Sequence, residues 1–244
     1  MYAGHGPNAS TGVLLSHGFT GSPVSLRAWA GHLADQGYAV SLPLLPGHGT
    51  TWQELARTPW EHWYDAYEQA YDRLSETTGR VVAGGLSMGG ALALRLASRR
   101  EVAGVAVVNP GLTAADPRAR YAGALKYLVR SVPAIGNSIA LPGQDEGAYT
   151  RTPVAAVHQL MRLFRDTTAS LPRITAPVLV FRSAVDPIVP ESSMAALRRG
   201  LTSADLTVVP LPNSYHVATM DHDAPLIFER SSDFIQDVSA GSRR

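Results

Sequence analysis

Short apolar runs alternate along this chain with longer segments of helical period, and that alternation constrains the fold more than any other feature. The runs fall at 12–16, 38–42, 80–84, 102–108, 177–182 and 206–210. They are continuously apolar rather than alternating, the pattern of strands buried on both faces. Strand followed by helix implies a mostly parallel sheet, here of about six or seven strands, with helices on both faces. Helix starts are marked at Ser22-Pro23 and Thr58-Pro59, where an N-cap residue precedes a proline suited to the first helical position. The first of these helices runs to about Gln36 and stops at Gly37, and further helices are expected over 88–98, 191–199 and from about Ala224. After Pro59, residues Trp60, Trp63, Tyr64, Tyr67, Tyr71 and Leu74 recur at spacings of three and four, which reads as one core-facing helical stripe.

Residues 111–172 interrupt the alternation with mostly helical patterns and loop signals such as Leu141-Pro142-Gly143. The expected organisation is therefore one α/β core made of 1–110 and 173–244, carrying 111–172 as a small inserted helical cap. A chain of 244 residues is long enough for such a core. The tail from Ala240 to Arg244 is expected to fray.

Composition removes several function classes. Lys plus Arg number 21 against 20 Asp plus Glu, so no basic excess is available to neutralise a phosphate backbone, and nucleic acid is not an expected partner. The absence of cysteine excludes disulfides, thiolate metal sites and a cysteine nucleophile together. MYAGHGPNAS at the start has neither a basic segment nor an apolar run, which makes a cytoplasmic location the default expectation.

The candidate for chemistry lies at Gly85-Leu86-Ser87-Met88-Gly89. The five residues alone are a moderate signal, because a glycine-rich chain meets the pattern by chance. Their context adds the mechanism: a strand-like run precedes them and a helical segment follows. A sharp strand-to-helix turn with small flanking residues projects a serine hydroxyl from a strained backbone. The helix start also offers unpaired N–H groups, so the Met88 N–H is a candidate oxyanion donor. The loop after the first run, Ser16-His17-Gly18-Phe19-Thr20-Gly21, offers a second in the Phe19 N–H, while His17 itself reads as a structural residue of that loop.

Serine needs a base, and the base an orienting carboxylate. In such a fold both should come from loops after later strands, in the order serine, acid, histidine. Downstream of Ser87 stand His158, within a helical pattern, His216, in the loop after 206–210, and His222, close to the last helix. His216 has the right position. Asp186 follows the run ending at Arg182, whereas Asp205 precedes its strand and Asp221 and Asp223 lie beside the histidine in sequence.

The segments LLSHGFTGSP, PLLPGHG, GLSMGG, DPIVP and SYHV together resemble the small bacterial carboxylesterase and monoacylglycerol lipase family of α/β-hydrolases. The resemblance extends from about Gly12 to the last helix. It implies the α/β-hydrolase fold, Ser87, Asp186 and His216 as a catalytic triad, Phe19 and Met88 as donors to the oxyanion, and a cap over an acyl pocket. Tyr215 stands where the family pattern has glycine, and the cap matches weakly apart from Arg151-Thr152-Pro153 and the helix after it.

The expected reaction is hydrolysis of short- to medium-chain acyl esters, monoacylglycerols among them, through an acyl-enzyme on Ser87 and without metal or cofactor. His216 must be neutral to act, so activity should fall as pH drops through the imidazole range. In the cap, Leu125, Leu128, Val129, Ile135, Ile139 and Leu141 offer apolar material for an acyl chain, and Asn137, Gln144 and Glu146 offer polar groups for the alcohol. The same apolar material also suits transient contact with a lipid surface, or dimerisation. Serine C–C hydrolases, acyltransferases, perhydrolases and ligand receptors on this scaffold keep the same three residues, whereas dehalogenases and epoxide hydrolases need a carboxylate where Ser87 stands.

Overall fold

The computed structural model describes residues 1–240. Its elements run β1 (Thr11–Ser16), α1 (Arg27–Asp35), β2 (Ala39–Ser41), α2 (Trp52–Leu55), α3 (Trp60–Ser75), β3 (Arg80–Leu86), α4 (Met88–Ala97), β4 (Gly104–Val108), α5 (Ala122–Leu125), β5 (Ser131–Pro133), β6 (Arg151–Pro153), α6 (Val154–Ser170), β7 (Val178–Ser183), α7 (Glu191–Gly200), β8 (Leu206–Leu211) and α8 (Ala224–Ala240). The tail expected to fray lies, beyond Ala240, outside the described residues.

Six strands form one wholly parallel sheet in the order β2-β1-β3-β4-β7-β8. They correspond to the six apolar runs. Alternate residues of each run enter two different cores: Leu14, Ala83, Val105 and Val180 pack with α3, α4, α6 and α7, and Val13, Val82, Ala106 and Phe181 with α1 and α8. Both faces are covered, which is why the runs carry no polar alternation. The chain steps from β1 outward to β2 and then crosses to β3 on the other side, so the carboxyl ends of β1 and β3 border a crevice at the topological switch point. Ser16 of β1 and Gly85 of β3 are register partners at that edge.

The aromatic stripe is core, with Trp63 and Tyr67 fully buried. Tyr67 holds α3 to the sheet by directing its hydroxyl at the carbonyls of Leu14, at 3.1 Å, and Gly84, at 3.0 Å. Two helix starts differ from expectation. Pro23–Leu26 forms a 3-10 turn capped by Ser22, and α1 begins only at Arg27. Thr58 does not cap α3: a short helix the sequence reading lacked, α2, is started by Thr51, and the Thr58 hydroxyl donates instead to the Glu54 carbonyl at 2.8 Å.

The inserted segment is less helical than expected. Between α5 and α6 it forms an antiparallel ribbon of β5 and β6 with long irregular stretches, where Pro133, Pro142 and the positive-φ residues Asn137, Gly143 and Gly147 interrupt any helix. Its last helix, α6, buries Ala156, Leu163, Phe164 and Thr167 against the main core. A salt bridge from Arg95 Nε of α4 to Asp166, at 2.6 Å, fastens it there.

Candidate active site

Ser87 stands between β3 and α4 with φ 56° and ψ −114°, a backbone conformation rarely adopted by residues with a side chain. The surroundings enforce it. The Ser87 N–H donates to the Val108 carbonyl at 2.9 Å, and the Ser87 carbonyl accepts from Ala91 and Gly111 at 3.2 and 3.1 Å. A side chain at Gly85 would sit 2.5 Å from the carbonyl carbon of Gly89, so the tight turn requires the small residues that flank the serine. Ser87 is 8% exposed.

The loop after β1 packs beside this turn, with Gly18 approaching Ser87 Cβ. Neither the Phe19 nor the Met88 N–H is taken by a backbone acceptor among the described residues, whereas the neighbouring Gly21 N–H closes on the Gly18 carbonyl. His17 is completely buried and holds the loop: Nδ1 bonds the Gly18 carbonyl at 2.9 Å and Nε2 accepts from the Leu45 N–H at 3.2 Å. Burial pushes its pKa down to about 4, against the opposing Gly18 hydrogen bond, so the ring is neutral. His48 lies edge-on to it and to Trp63, and burial followed by the proximity of His17 pushes that ring down to about 3.

Asp186 and His216 come together from the loops after β7 and β8. Both carboxylate oxygens lie 3.1 Å from His216 Nδ1, and the Asp186 side chain has 0% exposure. Oδ1 also accepts the N–H groups of Ile188 and Val189 at 2.9 and 3.0 Å. Burial pushes the Asp186 carboxyl up, but the hydrogen bond and charge of His216, with the two amides, outweigh it and hold the group below the ordinary carboxylate range. With Nδ1 directed at Asp186, a neutral ring keeps Nε2 as an acceptor, the form a general base requires. The hydrogen bond from Ser87 Oγ to that nitrogen is not made among the described residues. Of the rivals, His222 is exposed and His158 lies on α6. Asp223 binds the Asn213 main chain and amide at 2.8 and 3.0 Å.

Two residues outside the expected triad hold this arrangement. Asn109, which follows the apolar run 102–108, is fully buried at φ 45° and donates from Nδ2 to Ser183 Oγ and to the His216 carbonyl, each at 2.9 Å. Asp221 accepts four main-chain N–H groups, from Ala140 (2.7 Å), Leu141 (2.9 Å), Tyr215 (2.9 Å) and His222 (2.8 Å). It thereby joins the inserted segment to the histidine loop. Tyr215 is 42% exposed and, with Ala140 and Val185, borders an open cavity of about 520 Å³.

In the insertion, Asn137 and Glu146 bind each other reciprocally: Glu146 Oε1 accepts the Asn137 N–H at 2.8 Å, and Asn137 Oδ1 accepts the Glu146 N–H at 3.0 Å. The Glu146 carboxyl is pushed up by burial, opposed by that amide and by His216 nearby, and its Oε2 faces Gly21 of the loop after β1. Ile139 packs against the core on the α1 and α8 side. Leu128 and Ile135, expected as acyl-pocket material, instead face outward at 84% and 77% exposure, with Val129 also exposed. Among the described residues no helix is long and apolar enough to cross a membrane.

Comparison with known proteins agrees with this fold. The model of the family described as serine aminopeptidase, S33 (Hydrolase_4), matches residues 7–223. The thermostable monoacylglycerol lipase of Bacillus sp. (strain H-257) is 40% identical over 96% of this chain and 92% of its own. The carboxylesterase of Bacillus subtilis (strain 168) is 26% identical over 92% of each. A solved structure of the metagenome-derived lipolytic enzymes LipS and LipT superposes with a TM-score of 0.91 at 36% identity, over 97% of this chain and 96% of that one. With its parallel sheet and elbow serine, the chain belongs to the Hydrolase_4 family of serine hydrolases and has the α/β-hydrolase fold.

Proposed function

We propose that the protein hydrolyses carboxylic esters of short- to medium-chain acids, monoacylglycerols among them, through an acyl-enzyme on Ser87. The observation that carries this reading is the buried Asp186–His216 pair on the same sheet edge as the strained Ser87. The 40% identity to a monoacylglycerol lipase supports the choice of substrate. His216 takes the Ser87 proton as Oγ bonds to the ester carbonyl carbon. The N–H groups of Phe19 and Met88 receive the oxyanion, each donor typically contributing about 3–4 kcal/mol in the transition state. Collapse expels the alcohol with the proton from His216. Water, deprotonated in turn by His216, then releases the acid and restores Ser87.

The insertion, 111–172, acts in this reading as the cap over the acyl pocket, its outer part reaching to β6 and α6 anchoring it to the core. Ile139 offers apolar contact, and Glu146, shaped by Asn137, faces the glycerol hydroxyls. The exposed Tyr127, Leu128 and Ile135 give the cap a surface for transient contact with lipid. The test is the rate on monoolein against triolein for wild type and Ser87→Ala: faster monoolein hydrolysis that vanishes in the variant supports the reading, and preference for triolein overturns the substrate assignment.

A further inference from the structure

We infer that Arg182 is a positioning residue for the acid of this site, and that its guanidinium, acting through Asp186, lowers the basicity of His216. The inference rests on the reading of Asp186 and His216 as acid and base. Arg182 is the fifth residue of β7, with buried residues before and after it on the strand. Its own side chain is only 14% exposed. Nη1 donates to Asp186 Oδ2 at 2.7 Å, and Nη2 donates to the Val189 carbonyl at 2.8 Å. Both amides fall on Asp186 Oδ1, which shares the imidazole with Oδ2, so Arg182 fills a site on Oδ2 that a neutral donor could satisfy as well.

Nor does stability explain the pair well, because two charges that leave water together gain little net free energy. What the guanidinium adds, and no neutral donor can, is a positive charge on the carboxylate that faces the base. Attack by Ser87 converts His216 to an imidazolium. A lone buried carboxylate would stabilise that cation strongly, and one shared with Arg182 does so less. Removing that charge should therefore leave the imidazolium more strongly held, and the Oδ2 bond fixes the carboxylate plane against Nδ1.

Other charged groups bear on the same pair from each side. Glu146 of the cap, whose carboxyl is raised by burial and lowered in part by the nearby His216, carries a charge of opposite sign to Arg182. Glu191 of α7, with its side chain 67% exposed, places Oε2 3.8 Å from Arg182 Nε and offsets part of its charge. Asp221, on the histidine loop, has its oxygens bound to four main-chain amides.

The test follows kcat/KM for p-nitrophenyl butyrate from about pH 5 to about pH 9, reading absorbance where nitrophenol and nitrophenolate are equal. Arg182→Gln should move the acid limb upward by about 0.5–1 pH unit, while Arg182→Lys, which retains the charge, should leave it in place. Glu191→Lys changes an exposed residue, so it answers the question even if Arg182→Gln fails to fold, and it should move the limb downward. An Arg182→Gln limb that stays or falls, accompanied only by a lower plateau or melting temperature, would mark a purely structural role and overturn the inference. A Glu191→Lys limb that stays or rises would overturn it as well. His216→Ala in the same assay separates the two claims. An active His216→Ala defeats the acid–base reading, and an inactive one beside an unmoved Arg182→Gln limb defeats only the role of Arg182.

Discussion

Asn109 Nδ2 donates to the main-chain carbonyl of His216 at 2.9 Å, so the end of β4 carries the loop that carries the candidate base. The same amide group reaches Ser183 Oγ, and Asn109 Oδ1 accepts the Ser183 N–H at 2.9 Å, which brings β7 into the same knot. Asn109→Ala should lower kcat/KM by roughly 10- to 100-fold, because misplacing a base by about 1 Å has an effect of that size. It should also lower stability by about 1–3 kcal/mol through unpaired buried groups. Kinetics and urea unfolding on the same preparation check both numbers; unchanged turnover in a destabilised variant would reduce Asn109 to a structural residue.

Asp221 ties the inserted segment to the histidine loop through the Ala140 and Leu141 N–H groups, and burial, which alone would raise its carboxyl, is outweighed by these and the Tyr215 and His222 amides. Asp221→Asn replaces an acceptor oxygen with a donor against the Ala140, Leu141, Tyr215 and His222 amides. The variant should lose about 1–3 kcal/mol and admit protease cleavage near residues 139–141. Limited proteolysis with mass detection reads this directly, and a cleavage pattern identical to wild type would contradict it.

His17 and His48 make stability depend on pH. Their folded values, about 4 and about 3, lie below the ordinary 6.5, so their neutral rings stabilise the fold fully above pH 6.5. As pH falls below that, the unfolded chain binds the protons first, and the contribution is lost progressively down to the folded values. The slope approaches about 1.4 kcal/mol per pH unit for each histidine. Urea midpoints should therefore drop between pH 7 and pH 5, before the carboxylates of Asp186 and Asp221, both held low, begin to titrate. His48→Leu should flatten that dependence, and a flat wild-type profile would count against it.

Glu146→Gln leaves the Asn137 contact feasible and removes the charge that faces Gly21. KM for monoolein should rise about 3- to 10-fold, while p-nitrophenyl acetate, which has no glycerol to meet, should be turned over nearly as before. Equal loss on both substrates would point to a role in shaping the loop after β1 rather than in holding the alcohol.

The sheet was legible in the sequence because a strand buried on both faces has no choice but an apolar run, and six such runs became six strands. The turn that holds Ser87 was legible for a related reason: it leaves room only for small neighbours, so the constraint is written locally at Gly85 and Gly89. The ribbon of β5 and β6 was not, since three-residue strands carry no period. Thr58 looks like an N-cap but follows the end of α2 by three residues, and a hydroxyl serves a terminal carbonyl as readily as an N-terminus. Arg182, Asn109 and Asp221 act through main-chain groups or carboxylates far away in sequence, and no spacing rule announces such partners.

The central claim is that Ser87 is the nucleophile. Intact-mass and peptide mass analysis after fluorophosphonate treatment, beside p-nitrophenyl ester hydrolysis by wild type and Ser87→Ala, tests it most directly. A single adduct on Ser87, absent from the alanine variant together with at least about 99% of the activity, is the predicted result. An adduct on another residue, or an alanine variant that hydrolyses esters at a rate comparable to wild type, would contradict it.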